Sequence, residues 1–285
     1  MLTNYPRNIA IVCNPLAGNG RAIQLAQGIS VQLGDKSIMH TIFQEKWPAN
    51  FKGFSDVFVV GGDGTLNYFI NHYPTIELPL VIFNGGTGND LHWMLYGDKT
   101  LAEMMNVALT AEVRPVDAGK CNQRLFMNGV GIGFDGAVAK SLEGKKKRAG
   151  KASFMIAILK RIFFYKSRIY TISCDETNET SKKLMIGVAK GRRAGGGFHI
   201  APIAEPNDGW LDAVIIDDLR PLRRLKYLPV IEKGKHLNLT FIKYHKTKKI
   251  VIESENEMDA HLDGEYYSAK RMEIVILPGK FMFRY

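Results

Sequence analysis

Within its first hundred residues the chain repeats one grammar that few folds accommodate: an apolar run of strand length, a glycine-rich break, then apolar residues at helical spacing. In the sharpest instance residues 56–60 run into Gly61-Gly62-Asp63-Gly64-Thr65-Leu66-Asn67, after which Leu66, Phe69, Ile70 and Tyr73 mark a helical stripe. Residues 8–13 lead likewise into Asn14-Pro15-Leu16-Ala17-Gly18-Asn19-Gly20 and a helix with Ala22, Leu25, Ala26, Ile29 and Leu33 on one face. Residues 78–83 lead into Asn84-Gly85-Gly86-Thr87-Gly88-Asn89-Asp90, followed by Leu91, Met94 and Leu95. A strand at 37–43, and a helix opened by the Thr100 and Glu103 capping box and ending near 109, complete the pattern. Strands alternating with helices predict a doubly wound α/β domain, Rossmann-like, with a parallel sheet covered on both faces. In such sheets ligands bind beyond the carboxyl ends of the strands, where all three glycine loops are expected to gather.

Strand, glycine turn, helix is a phosphate-binding geometry, because glycines let the backbone approach an anion and the first helical turn offers unpaired N–H groups. One such loop is equally well a tight turn that needs positive φ angles. Three at one sheet edge favour a nucleotide. No G-x-x-x-x-G-K-[ST] is present, which disfavours a P-loop NTPase. Gly131-Ile132-Gly133-Phe134-Asp135-Gly136 matches G-x-G-x-x-G, yet no acidic residue follows about twenty positions on, so it reads as a structural turn.

After Arg114-Pro115 the period changes. Segments 124–130, 168–174, 183–189, 211–217, 239–244, 249–253 and 272–277 read as strands, interrupted by helices after Phe134, around 152–165 and from Pro221 to about 235. This predicts a mainly antiparallel second domain, a β-sandwich, over 114–275. The first domain is then 1–113, with 276–285 as a candidate segment completing it. A length of 285 residues suits two domains, and the net charge of +10 favours an anionic partner such as a nucleotide, nucleic acid or lipid surface. Cys13, Cys121 and Cys174 are odd in number and outside any CxxC pattern, which fits buried free thiols in a reducing compartment. With no apolar run long enough to span a bilayer, the expected location is the cytoplasm or the inner face of the membrane.

Gly61-Gly62-Asp63-Gly64-Thr65-Leu66-Asn67 together with Gly86-Thr87-Gly88-Asn89-Asp90 resembles the catalytic-domain signature of the diacylglycerol kinase family, the soluble bacterial lipid kinases in particular. The likeness continues in residues 129–137, in Gly195-Gly196-Gly197-Phe198-His199-Ile200-Ala201-Pro202, in Asp208-Gly209-Trp210-Leu211-Asp212 and in Leu262-Asp263-Gly264-Glu265. The GGDGT element is shared with NAD kinases, phosphofructokinases and sphingosine kinases; the later motifs narrow the field to lipid kinases. The resemblance implies that ATP lies on Asn14, Pro15, Gly18 and Gly20, on Gly61, Gly62, Asp63, Gly64, Thr65, Leu66 and Asn67, and against Thr87, with Thr41 near the adenosine. Asp63 would organise the phosphates and their Mg2+, and Glu265 corresponds to the general base. Asp208, with the backbone oxygens of Glu205 and Trp210, matches a structural magnesium site that Asp263 joins through water. Tyr68 departs from the family, which often has Glu there, and Gly85-Gly86 stands where a proline commonly precedes the Gly-Thr pair.

Phosphoryl transfer needs the γ-phosphate held in line, its charge offset, and a carboxylate to take the acceptor proton. Asp263 and Glu265 would face one side of an extended strand, although Asp-Gly by itself signals a hairpin turn. His199 and His261 read as structural. The lipid pocket is expected between the domains, and the acceptor as diacylglycerol, with a sphingoid base, ceramide or phosphatidylglycerol as alternatives, or else a nucleotide-binding regulator without turnover. Between 145 and 168 stand Lys145, Lys146, Lys147, Arg148, Lys151, Lys160, Arg161, Lys166 and Arg168, with no acidic residue, around an apolar helical stretch. Such a segment suits an anionic membrane surface, each cation contributing about 1 kcal/mol; its apolar part reads equally as a core helix. Nucleic acid is not expected as a partner, for want of a recognised motif, whereas an edge strand of the second domain offers a route to a homodimer.

Overall fold

The computed structural model describes residues 7–143, 151–175 and 177–285. The chain forms two compact units, Met1–Val116 with Gly279–Tyr285, and Asp117–Pro278.

In the first unit, strands β1 (Asn8–Cys13), β2 (Met39–Phe43), β3 (Asp56–Gly61) and β4 (Leu80–Asn84) pair in parallel in the order β2-β1-β3-β4. β3 is buried along its whole length, which explains its unbroken Val-Phe-Val-Val run: a parallel strand covered on both faces has no polar side to alternate with. Helices α1 (Arg21–Asp35), α2 (Asp63–His72), α3 (Asp90–Tyr96) and α4 (Leu101–Thr110) follow the turns. α1 buries Ala22, Ala26, Ile29 and Leu33, the stripe its spacing predicts. α4 opens on the predicted capping box, Thr100 N donating to Glu103 Oε2 at 2.8 Å and Glu103 N to Thr100 Oγ1 at 3.3 Å. The chain's last residues return here. Phe283 pairs in parallel with Leu80, Phe281 and Phe283 are fully buried, and Arg284 Nε donates to Asp56 Oδ1 at 2.6 Å.

β5 (Val113–Cys121) carries the chain into the second unit, which holds β6 (Arg124–Phe126), β7 (Gly129–Gly133), β8 (Arg168–Cys174), β9 (Thr177–Ala189), β10 (Leu211–Asp217), β11 (Ile242–Thr247), β12 (Lys249–Leu262) and most of β13 (Glu265–Arg284). The pairings β11-β10-β9-β7-β12-β13 are all antiparallel. β7 and β8 each pair with both β9 and β12, so these four strands close a circuit. A core including Phe126, Val130, Tyr170, Ile186, Ile252, Met258 and Met272 accompanies it. Helices α5 (Phe134–Leu142), α6 (Lys151–Phe164) and α7 (Pro221–Glu232) stand where the sequence predicts them.

Strand expectations change in several places, and the strands read at 183–189 and 249–253 lengthen to Thr177–Ala189 and Lys249–Leu262. The segment 124–130, read as one strand, breaks into β6 and β7, because the amides of Met127, Asn128 and Gly129 donate to the Asp263 carboxylate instead of a neighbouring strand. The short strand at 272–277 is part of a far longer β13, whose polar first half pairs with β12 beyond an irregularity between Glu253 and Met258. β5, bearing Pro115, escapes the reading altogether.

Candidate functional site

The register of the first sheet brings the three glycine loops together. Cys13 stands opposite Val60 and Gly61 opposite Asn84, so β1, β3 and β4 end side by side and their loops leave one edge. The loops then lock to one another. Asn14 Nδ2 donates to Thr65 Oγ1 at 3.2 Å, and Asn14 N to the Val60 carbonyl at 3.2 Å. Gly85 N donates to the Gly61 carbonyl at 2.9 Å. Asp63 Oδ1 accepts from the amides of Asp90 at 2.8 Å and Leu91 at 3.4 Å, capping α3 from the first turn of α2. A Cβ on Gly86 would lie 2.3 Å from Gly62 Cα, and one on Gly18 would lie 2.2 Å from the Gly85 carbonyl oxygen, so two contacts between loops admit glycine alone.

The predicted nucleotide residues stand as follows. Gly18, Asn19 and Gly20 take left-handed φ of 58°, 55° and 91°, turning the chain sharply into α1. Neither α1, capped by Gly20, nor α2, capped by Gly62, has a side-chain N-cap, and at both ends the helix dipole favours an anion. Pro15 is half-buried, as are Gly64 and Asn67, while Leu66 packs into the core. Thr87 and Thr41 are exposed, the latter on the edge strand β2 beside Ala10. Tyr68 is exposed, edge-on to Trp47 at 5.4 Å and stacked on His72 at 5.6 Å.

In the second unit Asp263 and Gly264 form a two-residue hairpin turn between β12 and β13, both with positive φ, 47° and 89°. The turn gives the two acidic residues different surroundings. Asp263 Oδ1 accepts from the amides of Asn128 and Gly129, and Oδ2 from Met127, each at 2.9 Å. Glu265, the first residue of β13, is exposed. Beside the turn His261, read from sequence as structural, pairs with a residue that the sequence left inside a glycine turn: its Nε2 lies 2.8 Å from Asp135 Oδ2, and its Nδ1 accepts from Gly264 N at 3.2 Å. Burial alone would lower the pKa of His261, but the Asp135 carboxylate, and beyond it Asp263, outweigh burial and hold it above the ordinary value. The glycines of that turn are packing residues, as expected: a Cβ on Gly136 would lie 2.2 Å from the Asp259 carbonyl oxygen, so α5 rests directly on β12.

Two of the magnesium ligands that the resemblance implies, the Asp208 carboxylate and the Trp210 carbonyl, are engaged by lysines. Lys190 Nζ donates to Asp208 Oδ1 at 2.5 Å and to the Trp210 carbonyl at 2.9 Å, and lies 2.9 Å from Asp117 Oδ2. Lys246 Nζ donates to Asp208 Oδ2. Burial would raise the pKa of Asp208, yet the hydrogen bonds from Lys190, Lys246 and Trp210 N hold it below the usual value. With Asp263 also turned onto amides, this donor set does not fit a magnesium ion. Lys190 stands at the end of the apolar run of β9, where the sequence carries no sign of a buried ammonium.

The second unit also contains an open apolar pocket with a cavity volume of about 70 Å³. Phe134, Ile158, Ile162, Tyr227 and Leu228 line it, and Asp135 and Arg224 are its charged residues. The Arg224 guanidinium is spent on structure: it donates to the carbonyls of Leu219, Ile162 and Tyr165, fixing the end of α6 against α7.

The model of the diacylglycerol kinase catalytic domain matches residues 8–121, and that of the YegS C-terminal NAD kinase beta sandwich-like domain matches 128–283. The chain is 24% identical over 287 residues to a diacylglycerol kinase of Mycobacterium tuberculosis, covering 95% of this chain and 92% of that one. It is 28% identical over 231 residues to a Pseudomonas aeruginosa protein named probable lipid kinase YegS-like, covering 80% and 75%. A crystal structure of a diacylglycerol kinase from Bacillus anthracis superposes with a TM-score of 0.74 at 25% identity, over 99% of this chain and 98% of that one. Fold, glycine loops and β domain thus define a lipid kinase. More narrowly, the chain belongs to the YegS-type family, which joins a diacylglycerol kinase catalytic domain to this β-sandwich-like domain.

Proposed function

We propose that the protein transfers the γ-phosphoryl group of ATP to the hydroxyl of diacylglycerol, giving phosphatidic acid. The observation that carries the lipid acceptor is the pocket in the second unit, whose lining is apolar apart from Asp135 and Arg224. The glycine loops and the uncapped starts of α1 and α2 hold the nucleotide phosphates through backbone N–H groups. Magnesium arriving with the nucleotide offsets phosphate charge. In the reaction the acceptor oxygen forms its bond to the γ-phosphorus as the bond to the β-phosphate oxygen breaks. The acceptor's proton passes to the Glu265 carboxylate and ADP leaves. Glu265 suits the role better than Asp263, whose two oxygens already accept from three amides.

The test is transfer of labelled phosphate from ATP to diacylglycerol in mixed micelles, with Glu265→Gln losing at least two orders of magnitude in rate while remaining folded. Full activity in that variant sinks Glu265 as base. Transfer to a sphingoid base, ceramide or phosphatidylglycerol in preference to diacylglycerol would move the acceptor, and nucleotide binding without transfer to any lipid would make the protein a regulator.

We also propose that α6 and α7 dock on anionic membrane. Phe164 is 80% exposed, Leu222 75% and Ile156 54%, in two segments, 156–168 and 220–226, whose charges are all cationic: Lys160, Arg161, Lys166 and Arg168 in the first, Arg220, Arg223, Arg224 and Lys226 in the second. Lys145, Lys146, Lys147 and Arg148 lie outside the described residues. Co-sedimentation with anionic vesicles that weakens with salt and in Phe164→Glu supports the proposal. Equal binding to neutral vesicles, or none, overturns it.

A further inference from the structure

The Lys190 side chain is 1% exposed, and its ammonium has three N–H donors facing three oxygens: Asp208 Oδ1, Asp117 Oδ2 and the Trp210 carbonyl. Those oxygens belong to separate parts of the second unit. Asp117 lies on β5, Lys190 directly follows β9, and Asp208 and Trp210 sit in the loop before β10. Further bonds tighten the same loop: Gly209 N donates to Asp117 Oδ2 at 2.7 Å, Asp117 N to the Pro206 carbonyl at 2.8 Å, and Trp210 N to Asp208 Oδ1 at 3.1 Å.

The Asp117 and Asp208 carboxylates face the Lys190 and Lys246 ammoniums. Magnesium demands near-octahedral oxygen ligands at about 2.0–2.1 Å and would have to displace the ammonium from the oxygens it needs. The neighbouring acid, Asp212, accepts from Tyr244 Oη at 2.6 Å.

We propose that the Lys190 ammonium is the resident cation of this site: a side chain of the protein ties the loop 205–210 to the sheet, in place of the structural magnesium that the family resemblance implies, so the second unit needs no divalent ion to stand. The inference concerns structure and is independent of the acceptor lipid and of magnesium that enters with nucleotide.

The experiment uses the full chain, free of nucleotide and purified without chelator. Its magnesium content is measured by mass spectrometry, and its thermal unfolding is followed in EDTA and in millimolar magnesium chloride. Far less than one magnesium per chain and the same midpoint in both solutions are expected. Lys190→Met keeps the length of the side chain and removes its charge, leaving two carboxylates short of a partner, and its midpoint should fall by roughly 5–15 °C. One tightly held magnesium per wild-type chain, a midpoint that drops several degrees in EDTA, or a Lys190→Met variant as stable as wild type would each overturn the proposal. Should Lys190→Met fail to fold, the wild-type metal content and chelator response decide alone.

Discussion

Asp263 and Glu265 differ in what the turn between them leaves available. Asp263→Ala removes the acceptor of three amides, and should cost about 2–5 kcal/mol in chemical denaturation. Glu265→Gln, on an exposed residue, should leave the denaturation curve in place while removing phosphoryl transfer. If the two variants were equally destabilised, the division of labour would be wrong. The Asp-Gly-Glu pattern makes both carboxylates visible in the sequence, but not that residues 127–129, far away in the chain, consume one of them. His261 is a similar case, since nothing near it in sequence announces Asp135. Its native pKa is raised, so the charged ring's contribution to stability is fully present below about pH 6.5 and is lost as pH rises through the higher native value. Above that value the neutral ring keeps Nε2–H on Asp135 and accepts Gly264 N–H at Nδ1. An NMR titration should show His261 titrating above an ordinary histidine, and below it in Asp135→Asn, where burial acts without the carboxylate.

Among the elements, the glycine loops were the most legible, because strand, break and helix each leave a periodic trace and the parallel order forces their ends to one edge. Their mutual contacts were not legible, since which glycine meets which is settled by register. Gly86 is the sharpest instance: a methyl group there would sit 2.3 Å from Gly62 Cα and 2.9 Å from Asn89 Oδ1, and backbone cannot swing aside as a long side chain does. Gly86→Ala should therefore spread the second and third loops, costing about 1–3 kcal/mol in stability and on the order of tenfold or more in nucleotide affinity by calorimetry. Gly34→Ala, in α1 with nothing within 4 Å of the added carbon, should be neutral or slightly stabilising. Equal effects of the two would show that the loop contacts do not shape the cradle. In the β unit the apolar, alternating strands were readable, whereas the polar half of β13 was not, because its stability comes from pairing with β12 over residues that look like a loop.

At the scale of the whole molecule the change from helical to twofold period separates the two kinds of domain. Residues 272–277 read as a strand of the second, and 276–285 as a candidate segment completing the first; in the structure Gly279–Tyr285 belong to the first unit. What brings the last seven back to the first unit is the chemistry of Asp56, an acid 1% exposed within an otherwise apolar strand. A buried carboxylate needs a cation, and Arg284 supplies it at 2.6 Å, with Arg7 more distant at 3.9 Å. Phe281 and Phe283, both fully buried, precede that contact in sequence, and Phe283 extends the parallel sheet beside β4. The first unit is therefore incomplete until the last residues of the chain arrive. Arg284→Ala should cost about 3 kcal/mol, by leaving Asp56 poorly paired, and Phe283→Ala about 3–5 kcal/mol. A chain ending at Pro278 loses both contributions together and should fail to form a stable first unit, seen as loss of nucleotide binding and rapid proteolysis within residues 7–116. If that shortened chain instead bound nucleotide and resisted protease like the full one, the return of the C-terminus would be ornament rather than part of the fold.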